Sequence, residues 1–241
     1  MKTLATILHY NTVHYTDSLY EMLKPYERND YDLVVIDNGS DEGKSSKYTT
    51  YKSETNTGFG GALDMTIQLF IDSPEYDSLM FLSSDIILHG YNFLKTLRAL
   101  LFSKEELMVI SPCVIQPEPQ QGFWKQMHCW NATELRYVPF VDYQCPLMKR
   151  PFAEKVKSFG SKYGWVQDLM TGMVCEDNNW KIAVCDWVPV IHVGNGTIKE
   201  NPQLSNYNIL AQKEMDMYFQ EKGLTQRANQ FKQRSIDYKH E

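Results

Sequence analysis

The chain has 241 residues, 43% hydrophobic and 22% charged, with a net charge of −6. That length and composition fit one large α/β domain, or two small ones, with enough apolar side chains for a real core. The acidic balance, with no basic tract before a mild one near the C-terminus, argues against a nucleic acid held mainly through its phosphates. A nucleotide held through a metal stays compatible with it.

Leu4-Ala5-Thr6-Ile7-Leu8-His9-Tyr10 reads as a first strand. A short helix over 18–24, capped by Thr16 or Asp17 and ended by Pro25, leads to a second strand at 31–37. Strand, helix, strand is the signature of a parallel pair with a crossover. A short strand over 48–53 comes next, and then a helix runs from the glycine-rich segment 58–62 to just before Pro74. The central feature is Phe81-Leu82-Ser83-Ser84-Asp85-Ile86-Ile87-Leu88. Its apolar approach reads as a strand buried on both faces, with Asp85 at the sheet's carboxyl edge, where open α/β sheets put their ligands.

A helix over 91–101 and a strand over 107–111, closed by Pro112, follow. Residues 115–135 read as irregular, with Phe123, Trp124 and Trp130 as scattered aromatics. Strands within 136–148, a short helix over 151–159 and a helix over 168–177 come next. The last strands are expected at 180–185 and 188–192, and an amphipathic helical stretch at 206–233. With no internal repeat and no low-complexity linker, one domain with a helical tail is expected. The five cysteines (Cys113, Cys129, Cys145, Cys175, Cys185) are odd in number and form no C-x-x-C pair. A disulfide framework or zinc site is not expected, and a reducing, cytoplasmic setting is the default. The N-terminal run lacks the apolar region of a signal peptide, and no stretch is long enough to span a bilayer.

Several positions carry chemistry, each beside a plainer reading. Asp37-Asn38-Gly39-Ser40 could accept from a nucleobase N–H, or simply form a turn. Asn56-Thr57-Gly58-Phe59-Gly60-Gly61-Ala62 fails the dinucleotide fingerprint, its third glycine being one position early, but it allows close backbone approach to a ligand. Asp85 could hold a cation or cap a turn. Gln167-Asp168, after Gly164-Trp165, could be a general base at a helix start or an N-terminal cap. His192 ends an apolar strand and is of a type that often ligates metals.

In this order, Asp37-Asn38-Gly39-Ser40, Asn56 to Ala62, Ser83-Ser84-Asp85, Gly164-Trp165-x-x-Asp168 and Val190-Ile191-His192 resemble the family 2 glycosyltransferases of GT-A fold. The resemblance spans most of residues 3–195. It implies a Rossmann-like mixed central β-sheet flanked by helices, with a C-terminal helical tail. Residues 1–202 would form the transferase domain, about 1–112 binding the nucleotide-sugar and 113–202 the acceptor and base, and 203–241 the tail.

The resemblance further implies inverting transfer from a UDP-, dTDP- or GDP-sugar to a glycan or lipid-linked acceptor. Asp37, Asn38, Asn56, Gly58, Gly60, Gly61, Ser83 and Ser84 would line the donor site. Asp85 and His192 would hold Mn²⁺ or Mg²⁺, and Asp168 would be the base. Trp165 and Gln167 would form the sugar platform. Three positions depart from the family pattern: Ser83 and Gln167 each replace an acid, and Asp64 replaces Asn. The two missing acids motivate the alternative of a non-catalytic nucleotide-sugar binder. A nucleotidyltransferase is disfavoured, because the N-terminus lacks a basic glycine-rich loop. Basic residues among aromatics in the tail raise a peripheral membrane contact.

Overall fold

The computed structural model describes residues 2–27, 30–88, 93–115, 124–194 and 196–239. In chain order the strands are β1 (Lys2–His9), β2 (Tyr31–Asp37), β3 (Thr49–Lys52), β4 (Tyr76–Ser83), β5 (Ile86–Leu88), β6 (Leu107–Ile115), β7 (Arg136–Tyr137), β8 (Leu147–Lys149) and β9 (Lys181–His192). The helices are α1 (Val13–Leu23), α2 (Gly58–Ile71), α3 (Phe93–Phe102), α4 (Arg150–Val156), α5 (Val166–Asp177), α6 (Gly196–Glu200), α7 (Tyr207–Glu221) and α8 (Thr225–Ile236).

Among the described residues these strands form one mixed sheet in the order β3-β2-β1-β4-β8-β6-β9-β5, with β7 also paired to β9. β1 lies between parallel β2 and β4 and is buried along all but its first residue, as a central parallel strand must be. Its register opposes His9 to Asp37 and Leu8 to Ser83, which brings the ends of three strands to one edge. At the far side, β5 runs antiparallel to β9 and opposes Ile86 to His192. That pairing is what carries Asp85 to the end of β9.

Several elements differ from expectation for local reasons. α1 begins five residues early, so Thr16 lies inside it, where its hydroxyl meets His9 Nδ1 at 2.8 Å. β6 runs through Pro112, at a register irregularity beyond the short ladder with β8, where the missing N–H costs little. The expected break at 186–187 is absent, and β9 is one strand. The helical stretch expected over 206–233 is two helices, parted at Gly223, which has φ +66°. The expected helix start at 91 falls on residues outside those described.

The main core fills both faces of the sheet. A second cluster joins Phe140 with Val166, Leu169 and Met173 of α5, Met215 and Phe219 of α7, and Ala228 and Phe231 of α8. The C-terminal helices are therefore packed onto the domain. Burying a Phe of this kind is worth about 1.5–3 kcal/mol. Arg227 and Arg234 bind α8 to Glu176 and Asp177 of α5. Among the described residues no helix is long and apolar enough to cross a membrane.

Candidate functional site

A cleft of about 1140 Å³ opens over the carboxyl edge of the sheet. Asn38, Ser83, Ser84, Asp85 and His192 line it, together with Trp124, Asp142, Trp165 and Asp168. The C-terminal segment contributes Thr197, Leu204, Tyr207 and Leu210. Glu214 fastens that segment by accepting the Lys162 and Tyr163 N–H groups at 2.7 and 2.8 Å.

Asp85 sits in the tight turn between β4 and β5 and is 7% exposed. Its Oδ1 lies 3.3 Å from His192 Nε2, and the Gly196 N–H donates to Oδ2 at 3.1 Å. Burial alone would raise its pKa, but the His192 ring and the Gly196 amide hold it below the usual carboxylate range. Burial would lower the His192 pKa, and the Asp85 carboxylate outweighs it and raises it. His192 Nδ1 is buried without a hydrogen-bond partner. The pair fits a divalent cation: two neighbouring ligands at roughly 2.1 Å from one octahedral ion lie roughly 3 Å apart, close to the spacing seen. Among the described residues, no third His, Cys, Asp or Glu atom groups with these two.

Asp168 lies in the first turn of α5, where the helix dipole favours a carboxylate. Its Oδ2 accepts the Trp124 indole N–H at 2.8 Å, while Oδ1 is buried with no hydrogen-bond partner. Burial pushes its carboxyl well above the usual range, and the charge of Asp142 adds to this against Trp124 and the Tyr143 amide. Asp142 is raised by burial and opposed by His192. Asp142 therefore stands electrostatically between the Asp85–His192 pair and Asp168. The sequence reading missed it. Its one signal is a lone carboxylate within the apolar stretch 138–148.

Asn38 organises the loop expected to hold the nucleoside. Its amide donates to Asn56 Oδ1 and the Gly58 carbonyl, both at 3.0 Å, and its oxygen accepts from the Thr57 N–H and hydroxyl. Asp37 departs from expectation. It is fully buried behind the cleft wall, where its Oδ1 accepts the Ser40 N–H at 2.7 Å. Its Oδ2 lies 3.8 Å from Lys52 Nζ. The turn thus accounts for Oδ1, while Oδ2 is buried without a hydrogen-bond partner.

Gly58 lines the cleft, but Gly60 and Gly61 do not. A Cβ on Gly60 would lie 2.1 Å from the Ser161 carbonyl oxygen, so this glycine admits the 158–164 backbone instead of a ligand. Gly61 packs its bare Cα over Thr57. Gln167 is likewise no platform: it is fully buried, donates to the Gly164 carbonyl and accepts from Ser161 Oγ at 3.4 Å. Asp64 holds the same segment, accepting the Phe159 and Gly160 N–H groups at 2.8 and 3.1 Å. Asp64 and Gln167 thus brace the loop that leads to Asp168.

Trp130 lies off the cleft wall, edge-on to Tyr238, and Phe123 lies outside the described residues. A further group, Cys113, Cys129 and Asp186, brings three ligand atoms within 4.8 Å of one another. It does not fit a cation, because Asp186 already accepts from the Trp130 and Ala132 amides and twice from the buried Arg136 guanidinium.

No protein-family model matches the chain, and no curated protein sequence matches it. Solved structures do. Over 86% of this chain, S. aureus TarS 1–349 superposes with a TM-score of 0.59 at 14% identity. TarS 1–349 in complex with UDP-GlcNAc gives 0.57 at 15% identity, over 79% of this chain and 58% of that one. GalNAc-T7 with UDP, GalNAc and Mn²⁺ gives 0.60 at 14% identity, over 80% of this chain and 44% of that one. This chain spans 65% of the length of TarS 1–349. At such identities the likeness establishes the fold, a mixed α/β sheet flanked by helices as in GT-A-type glycosyltransferase structures.

Proposed function

We propose that the protein is a nucleotide-sugar-dependent glycosyltransferase that works with inversion and a divalent metal. One observation carries the reading: a single cleft at the sheet edge of a GT-A-type fold is lined by the Asp85–His192 pair and by Asp168, one of whose oxygens is buried without a hydrogen-bond partner. The donor lies along Asn38, Asn56, Gly58, Ser83 and Ser84, with its diphosphate toward Asp85 and His192. A divalent cation bound by those two residues would neutralise charge on the departing diphosphate. With Ser83 contributing no carboxylate, few charged ligands would hold the cation, and modest metal affinity is expected.

Asp168 takes the proton of the acceptor hydroxyl, a role suited to a carboxyl whose pKa is raised by burial. Trp165, half-buried in the same cleft, offers a face for an apolar sugar surface. The acceptor is a glycan or a lipid-linked glycan entering past Trp124 and the exposed Ile236 of α8. Ile209 and Ile236, 69% and 62% exposed, support a peripheral membrane contact better than Arg227 and Arg234, which are paired to α5.

The test is calorimetric titration of UDP, dTDP and GDP with and without Mn²⁺. Metal-dependent binding of one of them, lost in Asp85→Ala, is expected; no binding to folded protein would refute the donor assignment. The absence of an acid at Ser83 favours a second reading, a donor-binding protein without turnover. Metal-dependent binding with no sugar transfer across a broad acceptor panel would select it.

A further inference from the structure

The two oxygens of Asp168 differ in their surroundings. Oδ2 accepts the Trp124 indole N–H at 2.8 Å, and Oδ1 is buried without a partner. Both side chains line the cleft. The indole is itself held firmly. It packs edge-on against buried Phe140, with centroids 4.9 Å apart and planes at 90°, and the Trp124 backbone carbonyl accepts the Met127 N–H at 2.9 Å. The turn after it is anchored where Arg136 donates to the Gln126 carbonyl at 2.7 Å. An indole N–H donates and cannot accept, so it can orient a carboxylate but cannot take its proton.

We propose that Trp124 is the positioning residue of Asp168, holding Oδ2 so that Oδ1 is the oxygen that receives the acceptor's proton. This rests on the reading of Asp168 as the base. In the step, the acceptor oxygen bonds the anomeric carbon and its proton passes to Oδ1. The bond from that carbon to the diphosphate breaks, and its electron pair leaves on the diphosphate. Other charged groups face the same carboxylate. Asp142 stands beside it, with His192 beyond, and Lys125 from the turn after Trp124 and Lys232 from α8 share the cleft wall. The Tyr143 hydroxyl is engaged by Thr171 of α5 at 2.7 Å, and Glu214 of α7 is committed to the Lys162 and Tyr163 amides. The Tyr143 backbone N–H also acts on the carboxylate, but no described side chain other than the indole donates to Oδ2.

The experiment follows the indole N–H resonances of the ¹⁵N-labelled full chain from pH 4 to 10. There are five tryptophans, so Trp124→Phe identifies its signal by absence. The Trp124 resonance is expected to shift with one inflection that disappears in Asp168→Asn. If Trp124→Phe does not fold, Asp168→Asn still decides the matter: one of the five resonances must lose its pH dependence, and none doing so overturns the proposal. In turnover of a UDP-sugar with Mn²⁺, Trp124→Phe is expected to move the acid limb of kcat/KM upward by about one to two pH units, the loss of one hydrogen bond to a charged group. UDP binding should be unchanged. A lower kcat with an unmoved limb would mean that Trp124 only shapes the wall, and would overturn it. Full turnover by Asp168→Asn would instead refute the base reading, while the titration still reports the N–H to Oδ2 contact independently.

Discussion

Replacing Gly60 by alanine tests whether the glycine segment serves packing. The added Cβ would stand 2.1 Å from the Ser161 carbonyl oxygen and 2.7 Å from its carbon, both backbone atoms with no rotamer to yield. The 161–162 chain must retreat by about 1 Å, and overpacking of that kind costs about 1–3 kcal/mol. The Gly60 N–H to Lys162 carbonyl bond, 2.9 Å long, is strained with it, for about 0.5–1.5 kcal/mol more. Alanine's better helix propensity returns up to about 1 kcal/mol, so the net loss spans roughly 0.5–4.5 kcal/mol and centres on roughly 2–3.

Gly160→Ala is the control in the same loop. Its Cβ meets nothing within 4 Å, so only the φ of +65° opposes it, for about 1–2 kcal/mol. Urea melts of both variants read the difference, and scanning calorimetry should place Gly60→Ala roughly 4–12 °C below the parent. Because the displaced segment leads into Trp165 and Asp168, sugar transfer should fall more than UDP binding does. A Gly60→Ala protein within 0.5 kcal/mol of the parent, roughly the effect of an ordinary surface change, would refute the packing argument.

Other outcomes follow from the same geometry. Asp142→Asn removes a like charge facing Asp168, so the acid limb of the transfer rate should move to lower pH, opposite to the Trp124→Phe shift. The folded Asp168 holds its proton above the unfolded pKa, so its ionisation costs stability as pH rises from the unfolded value toward the folded one. Asp168→Asn should therefore raise Tm at pH 8 and leave it nearly unchanged at pH 4; equal Tm differences at both pH values would contradict the raised pKa. Arg136→Met strips the guanidinium from a carboxylate whose side chain is 0% exposed, and should cost about 3–5 kcal/mol in urea unfolding. A loss under about 1 kcal/mol would show the pair to be no better than a surface one.

What the sequence by itself determined was local. Continuous apolar runs marked β1 and β4, because a strand covered on both faces has no solvent face and so no alternation, whereas β2 alternates before its buried end. Short polar segments at their ends marked the carboxyl edge, and Asp85, Asp168 and His192, singled out there, line one cleft. Tertiary structure decided what depends on pairing across the chain. β8 enters the sheet between β4 and β6, out of sequence order, and places Asp142 in the cleft, and nothing in its flanking residues encodes that. Trp124 and Trp130 looked alike as aromatics in an irregular stretch, yet only Trp124 reaches Asp168. Asp37 and Gln167 carry site-like chemistry but lie buried, bonded to the Ser40 N–H and the Gly164 carbonyl of their own loops, with Asp37 Oδ2 left unpaired. A carboxylate or amide beside an unpaired local N–H or carbonyl satisfies that group first, and which local groups are unpaired is known only once the chain is folded.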